Sequence, residues 1–221
     1  MLQPSAKKPN RATASWWIIG MLAVLAALIL ISITSRPPES PPSISLASLP
    51  SNGTTLGSAT APITVEEYGD FQCPACGMFA RGTLKEIEAK YVQNGTVKIV
   101  FHYFAILGDE SVRAAEAAEC ANTQGKFWQY YDTLFNHQAG ENQGAFSDDR
   151  LASLAQPIVP DMGKFNTCLK TDQTRNKVLA DVSVGQTRGV QRIPTLFING
   201  QESVGVISMA QFEALIAPYL K

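Results

Sequence analysis

Hydrophobic positions follow two patterns along this chain, one continuous and one periodic. The continuous pattern covers residues 16–33, which contain no charged side chain. As a helix rising about 1.5 Å per residue, this run would extend roughly 27 Å, close to the hydrocarbon thickness of a bilayer. Three basic side chains precede the run and only Arg36 follows it closely. Because the more basic flank stays in the cytoplasm, we predict a cytoplasmic N-terminus over 1–15 and a transmembrane signal-anchor over 16–34, so that the rest of the chain lies on the extracytoplasmic face of the cell membrane.

A cleaved signal peptide is the alternative interpretation of this segment. The apolar run is longer than the 7–15 residues typical of signal peptides, which favours an anchor, but small residues near Ser32 and Thr34 would suit cleavage. The following segment, 35–60, holds five prolines between Pro37 and Pro50, interleaved with serine. This composition favours extended polyproline-like chain. We therefore predict a linker over 35–60.

The periodic pattern begins after this linker. Residues 63–68 have the composition of a strand, and a helix is expected to start at Pro74 because proline favours the first helical position. In this arrangement Cys73 occupies the N-cap. Residues 96–104 give the strongest strand signal of the chain. The first part of the domain is thus predicted to be a β-α-β unit.

The second half of the domain begins with a helical block, predicted over 110–188. Two strands follow at 195–198 and 203–206, joined by an Asn-Gly turn. The last helix starts at a capping box formed by Ser208 and Gln211. The resulting order, β-α-β, helices, β-β-α, places all strands in one central sheet and predicts an α/β domain over 61–221.

Composition and charge narrow the functional classes. Charged residues make up 17% of the chain, against about 25% in soluble domains. Three of the 18 basic residues precede the apolar run, so the rest carries 15 basic and 19 acidic residues, a net charge of −4. A nucleic-acid partner needs a concentrated basic surface, which argues against one here.

The candidate chemistry lies in the cysteines. Cys73 and Cys76 form a Cys-Pro-Ala-Cys motif, and such a motif beside a β-α-β unit indicates thiol–disulfide redox chemistry. At a helix N-terminus, free backbone N–H groups and the helix dipole stabilise an anion, which lowers a thiol pKa. Cys76 lies one helical turn deeper. We therefore predict that Cys73 attacks and Cys76 resolves, the pair forming a redox-active disulfide.

Two plainer interpretations of these cysteines were compared with redox chemistry. A zinc site would need further ligands at suitable spacing, whereas Cys120 and Cys168 are isolated. His102 lies in a predicted strand of apolar residues and His137 follows a helical aromatic run, which favours structural roles for both. A purely structural bond within the motif would close too short a loop to stabilise much. No metal site and no cofactor are predicted.

Three stretches of the chain resemble the DsbA-like family of thioredoxin-fold oxidoreductases, and the resemblance spans about 56–221. These stretches are 56–77, with the Cys-Pro-Ala-Cys motif, 117–135, and 189–200, with Ile-Pro-Thr. The resemblance implies a thioredoxin-like fold with a helical insertion at about 105–188, here preceded by one transmembrane helix.

The resemblance also implies roles for individual residues. Pro194 matches a cis proline that faces the redox pair, so Ile193, Pro194 and Thr195 would bind an extended substrate peptide as an added strand. Glu67 matches a buried acid that exchanges a proton with Cys76. An ordinary turn proline and an exposed strand carboxylate are the alternatives for Pro194 and Glu67.

Strand alternation separates the acidic residues near the motif. It places Glu67 on the core-facing side with Ile63 and Val65, where burial would raise its pKa. Glu66 and Asp70 are predicted to be solvated.

The remaining cysteines, Cys120 and Cys168, are expected to pair because even cysteine counts outside the cytoplasm usually mean disulfides. Four cysteines allow three pairings, and the motif favours 73–76 with 120–168. A bond between Cys120 and Cys168 would staple the helical insertion. A second redox pair that relays electrons is the alternative.

The sequence as a whole predicts an oxidase of cysteine pairs in exported proteins. Family resemblance implies reoxidation by a membrane redox partner of the DsbB or vitamin-K-epoxide-reductase-like type. Ala75 stands where the best-known members carry a histidine that stabilises the reduced thiolate, so a milder oxidant is expected. A reductase or isomerase delivering electrons outward, and a non-enzymatic metal-binding module, remain alternatives.

Overall fold

The computed structural model describes Met21 and residues 46–220. The chain divides into two compact units, Met1–Ser40 and Pro41–Lys221, and the sheet and helices below belong to the second. Within the described residues, no helix is long and apolar enough to cross a membrane. The predicted N-terminal segment, the predicted span apart from Met21, and the predicted linker up to residue 45 lie outside the described residues.

A six-stranded mixed sheet, in the order β1-β2-β4-β3-β5-β6, forms the centre of the domain. The strands are Ser51–Asn52 (β1), Thr55–Leu56 (β2), Ile63–Gly69 (β3), Val97–Tyr103 (β4), Thr195–Ile198 (β5) and Gln201–Val204 (β6). β3 and β4 pair in parallel and every other neighbouring pair is antiparallel. The predicted β-α-β and β-β-α units therefore share one sheet, although β6 begins two residues earlier than predicted.

The sheet begins inside the segment predicted as linker. β1 and β2 precede residue 61, and Thr55 pairs with Val100 of β4. Leu49 and Leu56 are buried, so this part of the chain contributes to the core. The prediction of a linker to residue 60 therefore needs correction, because strands of two residues are too short to produce a periodic pattern.

Eight α-helices surround the sheet in the described part of the chain. They are Pro74–Arg81 (α1), Thr83–Ile87 (α2), Asp109–Asn122 (α3), Phe127–Asn136 (α4), Asp148–Ala155 (α5), Met162–Lys170 (α6), Arg175–Thr187 (α7) and Met209–Ile216 (α8). α2 continues into a π-helical turn, Glu88–Val92. The predicted helical block is α3 to α7, and α8 begins at the predicted capping box of Ser208 and Gln211.

Strand alternation determines which side chains face the main core. Along β3, Ile63, Val65 and Glu67 are fully buried, and β4 alternates buried and partly exposed residues throughout. The core is closed by aromatic side chains of α4, among them Phe127 and Tyr131. A carboxyl group, that of Glu67, is therefore held inside an apolar core, close to where β3 leads into the cysteine motif.

Candidate active site

Cys73 lies at the N-terminus of α1, as the sequence predicts. It is the N-cap residue, with extended backbone angles, and Pro74 is the first helical residue. Its Sγ accepts a hydrogen bond from the backbone N–H of Cys76 at 3.4 Å. Only 6% of Cys73 is exposed. The sulfur therefore accepts a hydrogen bond from one of the N–H groups that a helix start leaves unpaired.

The two thiols of the motif differ in acidity. Both are free. The hydrogen bond from the Cys76 thiol, with help from the N–H groups of Cys76 and Ala75 and against burial, lowers the pKa of Cys73 to about 7. Burial, together with the nearby Cys73 sulfur, raises the pKa of Cys76 well above its ordinary value. The thiolate therefore forms on Cys73, the more accessible of the two sulfurs.

The loop before β5 faces this sulfur. The Ile193–Pro194 peptide bond is cis, and the carbonyl oxygen of Ile193 lies 3.8 Å from Cys73 Sγ. Thr195 is fully buried, and its hydroxyl donates to the carbonyl of Arg192 at 2.7 Å. The structure thus brings Ile193 and Pro194 to the cysteine, whereas the Thr195 side chain supports the loop from inside.

Glu67 lies in the core and is fully buried. The hydroxyl of Tyr131 donates to its Oε2 at 2.8 Å, and Oε1 has no hydrogen-bond partner. Burial, only partly offset by the Tyr131 hydrogen bond, raises the pKa of Glu67 to about 8. The carboxyl group is therefore largely protonated at neutral pH, and its charge and that of Cys76 influence each other.

The structure overturns the prediction that Asp70 is solvated. Only 1% of Asp70 is exposed, because the chain folds back over the end of β3. Glu66 is partly exposed and forms a salt bridge of 2.6 Å with Arg188. The signal available in the sequence was position: Asp70 directly follows β3, where side chains converge at the end of a sheet.

Gln138 is a site residue that the sequence analysis missed. Its Nε2 donates to the carbonyl oxygens of Phe71 at 2.8 Å and Cys73 at 2.9 Å. Arg81 donates to its Oε1 at 3.1 Å. A Cβ on Gly77 would lie 2.1 Å from that Oε1, so glycine leaves the space through which Gln138 reaches the loop. No sequence motif marks a contact over such a separation.

The other two cysteines form a disulfide, the pairing that the sequence analysis favoured. The bond joins Cys120 of α3 to Cys168 of α6, with Cα atoms 5.8 Å apart. Cys120 is fully buried, and its sulfur lies 3.8 Å from the hydroxyl of Thr174. The bond therefore links two helices of the insertion.

Both histidines have contacts within the fold. His102 stacks on Tyr68 with ring centroids 4.6 Å apart, and burial lowers its pKa. His137 contacts the carbonyl oxygen of Thr133 through Nδ1 at 2.7 Å. Among the described residues, no cluster of three or more side chains is suited to bind a metal ion.

A protein-family model described as thioredoxin matches residues 50–217. The probable disulfide bond formation protein D of Bacillus cereus is 31% identical over 150 residues, covering 66% of this chain and 69% of that protein. The Na(+)/H(+) antiporter NhaA 1 of Salinispora arenicola is 30% identical over 72% of this chain but only 24% of its own length.

A solved structure has a similar fold. Oxidised BdbD from Bacillus subtilis aligns with a TM-score of 0.71 and 24% sequence identity, over 79% of this chain and 94% of that one. The alignment includes most of the described residues. It supports the thioredoxin-like architecture with a helical insertion that the resemblance implied.

Proposed function

This chain belongs to the thioredoxin family, as a DsbA-like thiol–disulfide oxidoreductase, and from that premise we propose that it oxidises cysteine pairs in exported proteins on the extracytoplasmic face. One observation carries the proposal. The sulfur of Cys73 lies at a helix start, accepts an N–H group at 3.4 Å, and is 3.8 Å from the Ile193 carbonyl. The most acidic thiol is thus the one beside a backbone edge that a substrate peptide can approach.

The cycle begins with the Cys73–Cys76 disulfide. A substrate thiolate attacks Cys73 Sγ, the bond to Cys76 breaks, and Cys76 leaves with the electron pair of that bond. A second substrate thiolate then attacks the substrate sulfur of the mixed disulfide, and Cys73 leaves as a thiolate. Two electrons pass from the substrate dithiol to the enzyme, and the substrate gains a disulfide.

Glu67 is the proposed proton donor for the leaving sulfur. The pKa of Cys76 is raised well above its ordinary value, so this sulfur needs a proton when it leaves. The Glu67 carboxyl, with a pKa of about 8, holds a proton at neutral pH inside the same core. Proton transfer would avoid leaving an unpaired thiolate buried in an apolar site.

The proposed substrate site is the loop of Ile193 and Pro194, with Thr195 as its buried support. An extended peptide would lie along the Ile193 backbone as a short added strand. The proposed oxidant that restores the disulfide is a membrane partner of the DsbB or vitamin-K-epoxide-reductase-like type. An anchor at residues 16–34 would hold the domain near such a partner.

Ala75 favours a second candidate, a reductase or isomerase of the same outward-facing site. Its side chain offers no hydrogen bond to the Cys73 thiolate, and only its backbone N–H contributes. A less stabilised thiolate makes the couple less oxidising. The equilibrium constant of the Cys73–Cys76 pair with glutathione separates the two directions, since an oxidase is reduced readily by glutathione and a reductase is not.

Variants of the two cysteines test the mechanism. Cys73→Ser is expected to abolish oxidation of a reduced model protein, because it removes the sulfur that substrate attacks. Cys76→Ser is expected to accumulate mixed disulfides through Cys73, which electrophoresis without reductant would detect. Turnover retained by Cys73→Ser, or equal trapping by Cys73→Ser and Cys76→Ser, would disprove the assignment.

A further inference from the structure

Asp70 is a buried carboxylate three residues before Cys73, and neither the proposed cycle nor the sequence analysis assigns it a role. Its Oδ1 accepts hydrogen bonds from the Gln72 backbone N–H at 2.8 Å and from the Ser111 hydroxyl at 2.7 Å. Its Oδ2 accepts from the backbone N–H groups of Ile106 at 2.9 Å and Leu107 at 3.1 Å. Four donors from three chain segments thus converge on one side chain.

The hydrogen-bond pattern favours the ionised form of Asp70. The Ser111 hydroxyl accepts from Gln72 Nε2 at 2.8 Å, so its own proton points to Asp70. All four partners therefore donate, and an ionised carboxylate accepts from all of them without an O–H of its own that would need an acceptor. Burial raises the pKa of Asp70 and the four hydrogen bonds oppose that rise. No salt bridge to Asp70 occurs among residues 46–220.

The same network joins the cysteine loop to the helical insertion. The side chain of Gln72 donates to Ser111 of α3 and accepts from the backbone N–H of Asn142 at 2.6 Å. The backbone carbonyl of Asp70 accepts from the N–H of Cys73 at 3.0 Å. The position of Cys73 therefore depends on the insertion through this polar group of side chains.

We propose that Asp70 is a positioning residue that fixes the Cys73 loop against the insertion, and that its buried negative charge keeps the Cys73–Cys76 couple more reducing than the helix start alone would make it. The proposal rests on the proposed function, in that it takes this pair as the redox centre. It assigns to the insertion a part in setting the redox potential.

The sign of the effect follows from Coulomb repulsion. A negative charge close to Cys73 disfavours its thiolate, and Asp70 acts on the Cys73 pKa in this direction. The thiolate exists only in the reduced enzyme, so destabilising it shifts the couple toward the disulfide. The charge of the Asp70 carboxylate thus opposes the effect of the helix start on Cys73.

The test compares Asp70→Asn with Gln72→Ala in the reduced and oxidised protein. Asp70→Asn removes the charge and is expected to lower the Cys73 pKa by about one unit, which is tenfold in thiolate equilibrium. Above pH 8, where Cys73 is largely ionised in both proteins, the equilibrium constant with glutathione should move about tenfold toward the dithiol, equivalent to about 30 mV. Gln72→Ala breaks the side-chain contacts to the insertion but retains the backbone N–H that donates to Asp70. It should therefore change the thiolate equilibrium of Cys73 and the equilibrium constant with glutathione less than threefold each.

Three outcomes overturn the proposal. They are an unchanged pKa in Asp70→Asn, a shift in the opposite direction, and an equal shift in Gln72→Ala, which would trace the effect to loop position alone. If Asp70→Asn does not fold, the unaltered protein decides the question. The backbone amide NMR signals of Ile106 and Leu107 should then titrate with Cys73 in the reduced form only, and the absence of that coupling refutes the proposal.

These measurements are independent of substrate oxidation. If the protein fails to oxidise exported proteins, the proposed function fails, yet the glutathione equilibrium and the thiol titration still report on Asp70. If the protein oxidises substrates and Asp70→Asn changes neither quantity, only the present inference fails.

Discussion

The two cysteine pairs of this domain lie at different places relative to the helices and differ in their bonding. Cys73 and Cys76 are three residues apart at the start of a helix and are free thiols, whereas Cys120 and Cys168 are 48 residues apart and bonded across two helices. A helix start provides N–H groups for a thiolate. Cys120 lies within α3, where backbone N–H groups are already paired. The position of a cysteine relative to its helix therefore distinguishes a sulfur that can be stabilised as a thiolate from one that cannot.

The buried carboxyl groups near each pair differ in the same way. Close to the second pair, Glu116 pairs with Arg175 at 3.0 Å and Glu119 pairs with a lysine at 2.5 Å. Near the first pair, Glu67 and Asp70 form no salt bridge among the residues that the structure describes. Buried carboxyl groups without a charged partner have shifted pKa values and are typical of functional sites. Where a buried carboxylate is paired, removal of its partner would leave an uncompensated charge and destabilise the fold.

The largest expected effect tests the structural role of the second pair. Replacing both Cys120 and Cys168 with alanine should lower the free energy of unfolding by about 4 kcal/mol, because a loop of this length loses its closure. Oxidation of a model substrate should stay within about threefold at a temperature where the variant is folded. Denaturant unfolding and an activity assay measure the two quantities.

The control for this prediction is the double variant Cys73→Ser with Cys76→Ser, which retains the Cys120–Cys168 disulfide. It should lose activity with a much smaller change in stability. If alanine at 120 and 168 abolishes exchange in folded protein, the second pair is a relay and the contrast between the pairs is invalid.

The next effect concerns Glu67, a buried carboxyl group that forms no salt bridge within residues 46–220, unlike Glu116 and Glu119 near the second disulfide. Its pKa is raised from 4.5 to about 8 by burial, so its contribution to stability is present below pH 4.5 and is lost as pH rises toward 8. Glu67→Gln does not titrate. Relative to the unaltered protein, its free energy of unfolding should rise by about 3 kcal/mol between pH 4.5 and 7.

Unfolding of the oxidised protein at several pH values measures this difference without interference from the Cys73 thiolate. Glu66→Gln changes the preceding residue, which lies on the partly exposed face of β3, and is the matched control, which should not show the rise. A pH-independent difference for Glu67→Gln would mean that the Glu67 carboxyl is ionised at neutral pH.

The smallest effect concerns the polar contacts that hold the first pair. Gly77→Ala would place a Cβ 2.1 Å from Gln138 Oε1 and displace its amide from the loop. Two hydrogen bonds would be lost, each worth about 1 kcal/mol, while alanine regains nearly 1 kcal/mol of helix propensity. A net destabilisation of about 1 kcal/mol is expected in thermal or denaturant unfolding.

Gln138→Ala removes the same two hydrogen bonds without the steric conflict. It should destabilise the protein by at least as much as Gly77→Ala, and combining the two should add little. Additive losses would show that Gly77 is required for a reason other than the passage of Gln138.

Elements whose signals are local could be predicted from the sequence. The start of α1 at Pro74 depends on the cap and the first helical residue, which are neighbours in the chain. The two seven-residue strands, β3 and β4, are long enough for a local sequence signal. β1 and β2 were not predicted because a strand of two residues is too short to show an alternating pattern. The core-facing side of Glu67 was also a matter of local alternation.

The tertiary structure alone decided which polar groups meet beneath the cysteine motif. The sequence predicts Asp70 to be a surface residue, but Ile106, Leu107 and Ser111 donate hydrogen bonds to it in the folded protein. Gln138 contacts the backbone of Cys73, which is 65 residues away in the chain. Nothing in a local pattern specifies such contacts, because burial and hydrogen bonding depend on what distant segments bring to the same place. The amino-acid order determined where a reactive thiol could form, and packing determined the charges that act on it.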